Sequence, residues 1–209
     1  MRVRIAVIAF LLVACAQNAR AEIQKSGPES FPGKNELSAH LGYQAGFGGQ
    51  FANPSGFKLF FDYGRRFTDL VWLDLQLNPI FGYSASAGVC YDNRGRPFTC
   101  GANYNYGGWG IEFAAGVKLK IKTKVPLVVE VPLTVGVVGM FSRQCGDNGA
   151  ALVLRPGAGV KYFLTRAIGV GAGVNFAMGP GFHGASSCTG SYTDFYGAFD
   201  FQLGAEFIL

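Results

Sequence analysis

Two histidines, His40 and His183, are the imidazoles available for general acid-base work. His183 lies close in sequence to Ser186, Ser187 and Asp194, a set able to move a proton to or from a hydroxyl nucleophile. His40 instead alternates with Ser38, Gly42 and Gln44, which marks a polar strand face. Neither matches a local nucleophile motif, so no catalytic residue is assigned and a non-enzyme is expected. The five cysteines, Cys15, Cys90, Cys100, Cys145 and Cys188, contain no CxxC pair and give no zinc ligand set. Gly157-Ala158-Gly159 and Gly169 to Gly173 superficially suggest a phosphate-binding loop, but no helix follows either run, and alternating glycine on a strand explains both. No cofactor and no metal are expected.

The remaining reactive groups are charges, and they recur at every second position. Lys118, Lys120, Lys122 and Lys124 alternate with apolar residues, as an anion-selective wall or one side of a salt-bridged plug would. The bases Lys58, Lys118, Lys120, Lys122, Arg155 and Lys161 nearly match the acids Asp62, Asp74, Glu112, Glu130, Asp194, Asp200 and Glu206, which favours the plug. Unpaired charges in a dry interior cost several kcal/mol, so most of these must pair.

A two-residue period belongs to β-strands. Alternation begins at Glu36 with Leu37, Ala39, Leu41, Tyr43, Ala45 and Phe47 on one face, and it recurs in residues 57–66, 70–83, 109–122, 127–141, 150–163, 167–178 and 192–209. Eight strands are expected. The segment 127–141 is apolar enough to imitate a transmembrane helix, but Glu130, Pro132 and its valines favour a strand. Connections after the second, fourth and sixth strands are short (66–69, 123–126, 164–166), whereas the others are long and rich in Gly, Asn and Ser. A register centred on Val125 sets Lys120 opposite Glu130. The inward glycines Gly157, Gly159, Gly169, Gly171 and Gly173 leave a bare wall for Trp72, Lys118, Lys120, Arg155 and Lys161 to fill. Aromatic residues bunch at the strand ends: Tyr63, Phe67, Tyr162, Phe163 and Phe207 near short turns, and Phe47, Phe57, Tyr83, Trp109, Phe141, Phe176 and Phe195 near long loops. Such bunching suggests two interfacial girdles.

Residues 1–21 read as an export signal: Arg2 and Arg4, an apolar run from Ile5 to Ala16, and Ala19-Arg20-Ala21 for cleavage. Leu12-Val13-Ala14-Cys15 competes with it as a lipobox. Residues 22–34, with Pro28, Pro32 and several polar residues, read as a short flexible periplasmic lead and 35–209 as one barrel domain. Cleavage would take the 18 basic residues to 15, against 13 acidic ones, so no nucleic-acid partner is implied. Charged residues make only 15% of the chain and 31 residues are glycine, which implies that something other than water meets much of the surface. The cysteines Cys90, Cys100, Cys145 and Cys188 all fall in long loops of an exported chain, which favours disulfides. Cys90 with Cys100 and Cys145 with Cys188 is the expected pairing, because local closure is easiest, although spacing does not separate the three pairings.

The last strand, with Phe195, Phe199, Phe201, Leu203, Phe207 and Leu209 on one face and Asp200, Gln202 and Glu206 on the other, resembles the closing strand of outer-membrane β-barrels. Gln202, Gly204, Phe207 and Leu209 carry the terminal pattern, and the resemblance implies that barrel assembly machinery recognises it. Residues 36–209 thus resemble the small eight-stranded outer-membrane barrels of the OmpA/OmpX type: all-β, antiparallel, up-and-down and transmembrane. That likeness implies contact with outer-membrane lipid, extracellular loops and periplasmic termini. A peptidoglycan-binding domain of the larger relatives is not expected. The longest loop, residues 84–108, offers Tyr91, Arg94, Arg96, Phe98, Tyr104 and Tyr106 as a recognition surface for an envelope or extracellular protein. The expected function is a non-enzymatic barrel presenting disulfide-pinned loops or serving as a subunit of an envelope assembly. Alternatives are a narrow pore, a soluble lipocalin-like ligand binder with the faces reversed, and a lipid A-modifying enzyme using His183.

Overall fold

The computed structural model describes residues 31–47, 55–84, 88–91, 97–100, 108–142, 148–184 and 191–209. Eight long strands form the barrel: β1 (Asn35–Phe47), β2 (Ser55–Arg66), β3 (Val71–Ser84), β6 (Gly108–Lys122), β7 (Leu127–Ser142), β8 (Asn148–Phe163), β9 (Ile168–His183) and β10 (Tyr192–Ile208). Each pairs antiparallel with its chain neighbour in the wall, and β10 returns to β1, so no edge is left open. That closure satisfies the backbone within the sheet, which is one of the two ways a chain can cross hydrocarbon. Within the long second loop, β4 (Gly88–Tyr91) and β5 (Pro97–Cys100) add a small hairpin that the alternation did not reveal.

The pleat sends one face of every strand into the lumen and the other outward. On β10, Phe201 is 52% exposed and Leu203 67%, whereas Asp200 and Glu206 are 0%. Leu41, Leu75, Phe113, Ile121, Val135, Leu152, Val170 and Phe199 continue the outer apolar surface around the wall. A soluble ligand-binding barrel needs the opposite arrangement, with its apolar face lining the cavity, so the lipocalin-like reading falls. The outer band is what a bilayer requires.

Local chemistry fixes the turns. Thr68, Thr123 and Thr165 occupy the three short ones, and each accepts a hydrogen bond from a backbone N–H in its own turn: Val71 at 2.9 Å, Val125 at 3.3 Å and Ile168 at 3.0 Å. Across the middle turn, Lys120 pairs with Glu130 and Lys122 with Val128, the register centred on Val125. Pro132 has no N–H to give, and the β7–β8 ladder runs to Glu130 opposite Gly159 and resumes at Leu133 opposite Pro156. β9 extends to His183, five residues beyond the expected 178, because Gly179, Pro180 and Gly181 pair with β10 despite their loop-like composition.

The bare glycine wall is filled, but mostly by side chains other than those expected: Lys161 crowds Gly171, whereas Asn175 meets Gly157, Phe163 meets Gly169 and Gln202 meets Gly173. A Cβ on Gly171 would fall 2.7 Å from Lys161 Cγ, and one on Gly157 would fall 2.0 Å from Asn175 Oδ1, so both sites admit only hydrogen. Two further expectations need correction. Phe163 is not in the outer girdle; it is 5% exposed and points into the lumen. The lead read as flexible ends in ordered packing: Phe31 is buried, its carbonyl accepts a hydrogen bond from Arg66 Nη1 at 3.1 Å, and Lys34 accepts one from Arg66 N at 2.8 Å.

Candidate functional site

The interior is stacked in four levels, each set by the same alternation. At the short-turn end, Phe31, Trp72, Val128, Phe163 and Ile208 form an apolar plug. Phe31 meets Trp72 edge-on with centroids 5.4 Å apart, and Lys122 Nζ lies 4.4 Å from the Phe31 ring centre. At the long-loop end, Ile80, Val138, Met140, Ala151, Val153, Ala177, Tyr196 and Ala198 form a second plug. The charges lie between the two.

The lower charge layer, next to the Phe31 plug, is built from lysines. Lys118 pairs with Glu36 at 2.7 Å and Asp74 at 3.2 Å. Lys120 contacts Glu36, Glu130 at 3.0 Å and Glu206 at 2.5 Å, and Lys161 contacts Glu206 and Glu130, the latter at 3.0 Å. Carboxylate oxygens of Glu36, Glu130 and Glu206 lie within 4.8 Å of one another, spacing that would suit a cation. The Lys120 ammonium already occupies that role, since it pairs with all three. Beside this layer Asp62 accepts a hydrogen bond from Ser38 Oγ at 3.2 Å and faces His40 Nδ1 at 3.4 Å. A cavity of about 20 Å³, room for a single water, lies among His40, Glu130, Lys161 and Gln202.

The upper layer is built around an arginine. Arg155 reaches Glu112 with Nη1 and Asp200 with Nη2 at 2.5 Å, and Lys58 joins the same two acids at 2.9 and 3.0 Å. Amides complete the set. Gln76 accepts from Arg155 at 2.7 Å, Gln44 accepts from Lys58 at 2.8 Å and donates to Tyr196 at 3.0 Å, and Asn78 donates to Glu112 at 2.8 Å. The planar guanidinium fork holds two carboxylates in fixed geometry, which a lysine cannot do.

Of the charged residues read as facing inward, Lys58, Glu112, Arg155 and Asp200 are buried in the upper layer and Asp62, Asp74, Lys118, Lys120, Glu130, Lys161 and Glu206 in or beside the lower one, whereas Lys122, at the short-turn mouth against Phe31, and Asp194, near the start of β10, are only half-buried and join neither layer. Sequence reasoning left Glu36 and Tyr196 out of the charge network and assigned no partner to the amides, although the alternation puts Gln44, Gln76 and Asn78 on the polar face. Glu36 shares its parity with Ser38 and His40, and Tyr196 with Asp200, so the period carried the signal. His183 ends β9, beside Gly149, while Ser186 and Ser187 lie outside the described residues. The hairpin register sets Cys90 opposite Phe98 and Gly88 opposite Cys100 and includes Tyr91. Cys145, Cys188, Arg94, Arg96, Tyr104 and Tyr106 lie outside the described residues. In the terminal pattern, Gln202 and Gly204 face inward against Gly173 and His40, and Phe207 and Leu209 are exposed.

Solved structures with this architecture include Neisserial surface protein A, at TM-score 0.55 and 10% identity over 84% of this chain and 97% of that one. The fold is that of the small outer-membrane β-barrels. The outer membrane protein AlkL, solved in DMPC lipid bilayers, superposes at TM-score 0.51 and 11% identity over 88% of this chain and 94% of that one. Ail, the attachment invasion locus protein of Yersinia pestis, reaches TM-score 0.35 at 14% identity, covering 83% and 99%, and is too distant to support an argument. No family model and no curated protein matches the sequence. At these identities the likeness is one of fold, and function rests on this chain's own residues.

Proposed function

We propose that this protein is a non-enzymatic bacterial outer-membrane barrel whose working surface is its long-loop end, with both termini periplasmic. One observation supports this above others: the lumen is filled from plug to plug, with Lys58, Glu112, Arg155 and Asp200 closing its middle. A filled lumen has no path for a solute and leaves the loops as the part free to meet a partner. Their Tyr, Arg and Asn content, with Tyr91, Arg94, Arg96, Phe98, Tyr104 and Tyr106 in the longest, suits recognition of an envelope or extracellular protein. Disulfides joining Cys90 to Cys100 and Cys145 to Cys188 would stiffen that surface.

Planar-bilayer recording tests the pore alternative. The reading expects no discrete conductance steps from the folded protein, and regular steps would contradict it. Non-reducing peptide mapping tests the cysteine pairs, with any other pairing counting against the pinned-loop arrangement. For the enzyme alternative, His183→Ala is expected to leave lipid A unmodified in cells to the same degree as the parent, and a difference would reopen it.

A further inference from the structure

The charges outside the lumen are distributed unevenly. Lys34, Arg65, Arg66, Lys122, Lys124 and Arg166 all sit on the short-turn rim, where Asp69 is the only acidic side chain outside the lumen among the described residues. Arg66 is tied to Asp69 at 3.5 Å and to the Phe31 carbonyl, but Lys34, Arg65 and Lys124 are exposed and make no ion pair with a described residue. Each short turn also projects a large apolar side chain at this level: Phe67 and Leu70, Val125, and Leu164. Just above them Tyr162, Ile121 and Phe207 end the outer apolar band.

Cations at the edge of an apolar band stand where lipid phosphates stand, and hydrocarbon side chains beside them enter the acyl boundary. The basic residues are also spread around the ring. They come from the β2–β3, β6–β7 and β8–β9 turns and from the segment before β1, so they match an annulus of lipids better than one pocket ligand.

We propose that the short-turn rim docks the phosphate headgroups of anionic glycerophospholipids and so fixes the depth of the barrel in one leaflet. The inference rests on the bilayer reading of the apolar band. In the test, the full chain is inserted into phosphatidylcholine vesicles containing phosphatidylglycerol, lipopolysaccharide or neither and released into mild detergent, and native mass spectrometry measures the lipid that stays bound. The parent is expected to retain phosphatidylglycerol in preference to phosphatidylcholine, less so at high salt. The K34Q/R65Q/K124Q variant is expected to lose that preference, at about fivefold per charge removed. These three side chains lie outside the packed interior, and each single variant provides the same readout should the triple one fail to insert.

Equal retention of both lipids by the parent, an unchanged preference in the variants, or a stronger preference for lipopolysaccharide phosphates would overturn the proposal. Failure of the parent to insert into either vesicle would instead overturn the bilayer reading.

Discussion

The two charge layers of the lumen solve the same problem differently. The upper one is balanced, with Lys58 and Arg155 against Glu112 and Asp200, and amides from Gln44, Gln76 and Asn78 close its remaining bonds. The lower one sets three lysines, Lys118, Lys120 and Lys161, against four acids, Glu36, Asp74, Glu130 and Glu206, with the His40–Asp62 pair and a water-sized cavity alongside. In the balanced layer the loss of any one charge leaves a net charge buried. In the layer with surplus acid, the loss of one acid leaves three lysines against three carboxylates, so no new net charge is buried. The upper layer is therefore the brace of the barrel and the lower one is its tolerant neighbour.

Substitutions separate the two. Arg155→Met leaves Glu112 and Asp200 facing each other with Lys58 alone, and denaturant unfolding in vesicles should show a loss of about 5 kcal/mol, the upper end for stranding buried charge. Glu112→Gln removes a contact of both Lys58 and Arg155, with an expected loss of about 3 kcal/mol in the same assay. Phe31→Ala opens the lower plug above Trp72 and Phe163, where an expected loss of about 2 kcal/mol is below the usual value for a core phenylalanine because the site is at the mouth. Glu130→Gln should lower the temperature at which the folded gel-shifted band disappears by the smallest amount, about 1 kcal/mol in equivalent stability, since Lys120 and Lys161 both retain Glu206 and the layer's remaining acids still match its lysines, whereas Glu112→Gln leaves two bases on Asp200 alone. Equal losses for Glu112→Gln and Glu130→Gln would break the comparison between layers.

Much of this was legible because a barrel wall obeys one rule along its whole length. The period of two placed Lys58, Asp74, Glu112, Arg155 and Glu206 inside, and the turn at Thr123 to Pro126 placed Lys120 opposite Glu130. Phe163 was misread because its nearness to a turn was weighed above its parity with Lys161, which points inward. Phe31 left no periodic signal at all. It sits among Pro28, Ser30, Pro32 and Gly33, and its position is set by a gap between Trp72 and Phe163 that exists only in three dimensions. The end of β9 was hidden by Gly179, Pro180 and Gly181, which read as a loop until β10 supplies their partners. Which acid shares which lysine is equally a matter of spatial stacking, since Lys120 and Glu206 lie on strands far apart in sequence.

The chain has two tryptophans, and they lie on opposite sides of the wall: Trp72 is 0% exposed inside the lumen and Trp109 is 48% exposed on the outer surface, stacked on Phe141 at 4.3 Å. Fluorescence quenching by lipids brominated on their acyl chains, in single-tryptophan variants made with Trp72→Phe or Trp109→Phe, tests the inside-out arrangement directly. Strong quenching of Trp109 with Trp72 left bright is the predicted result, and quenching of Trp72 equal to or above that of Trp109 would contradict it.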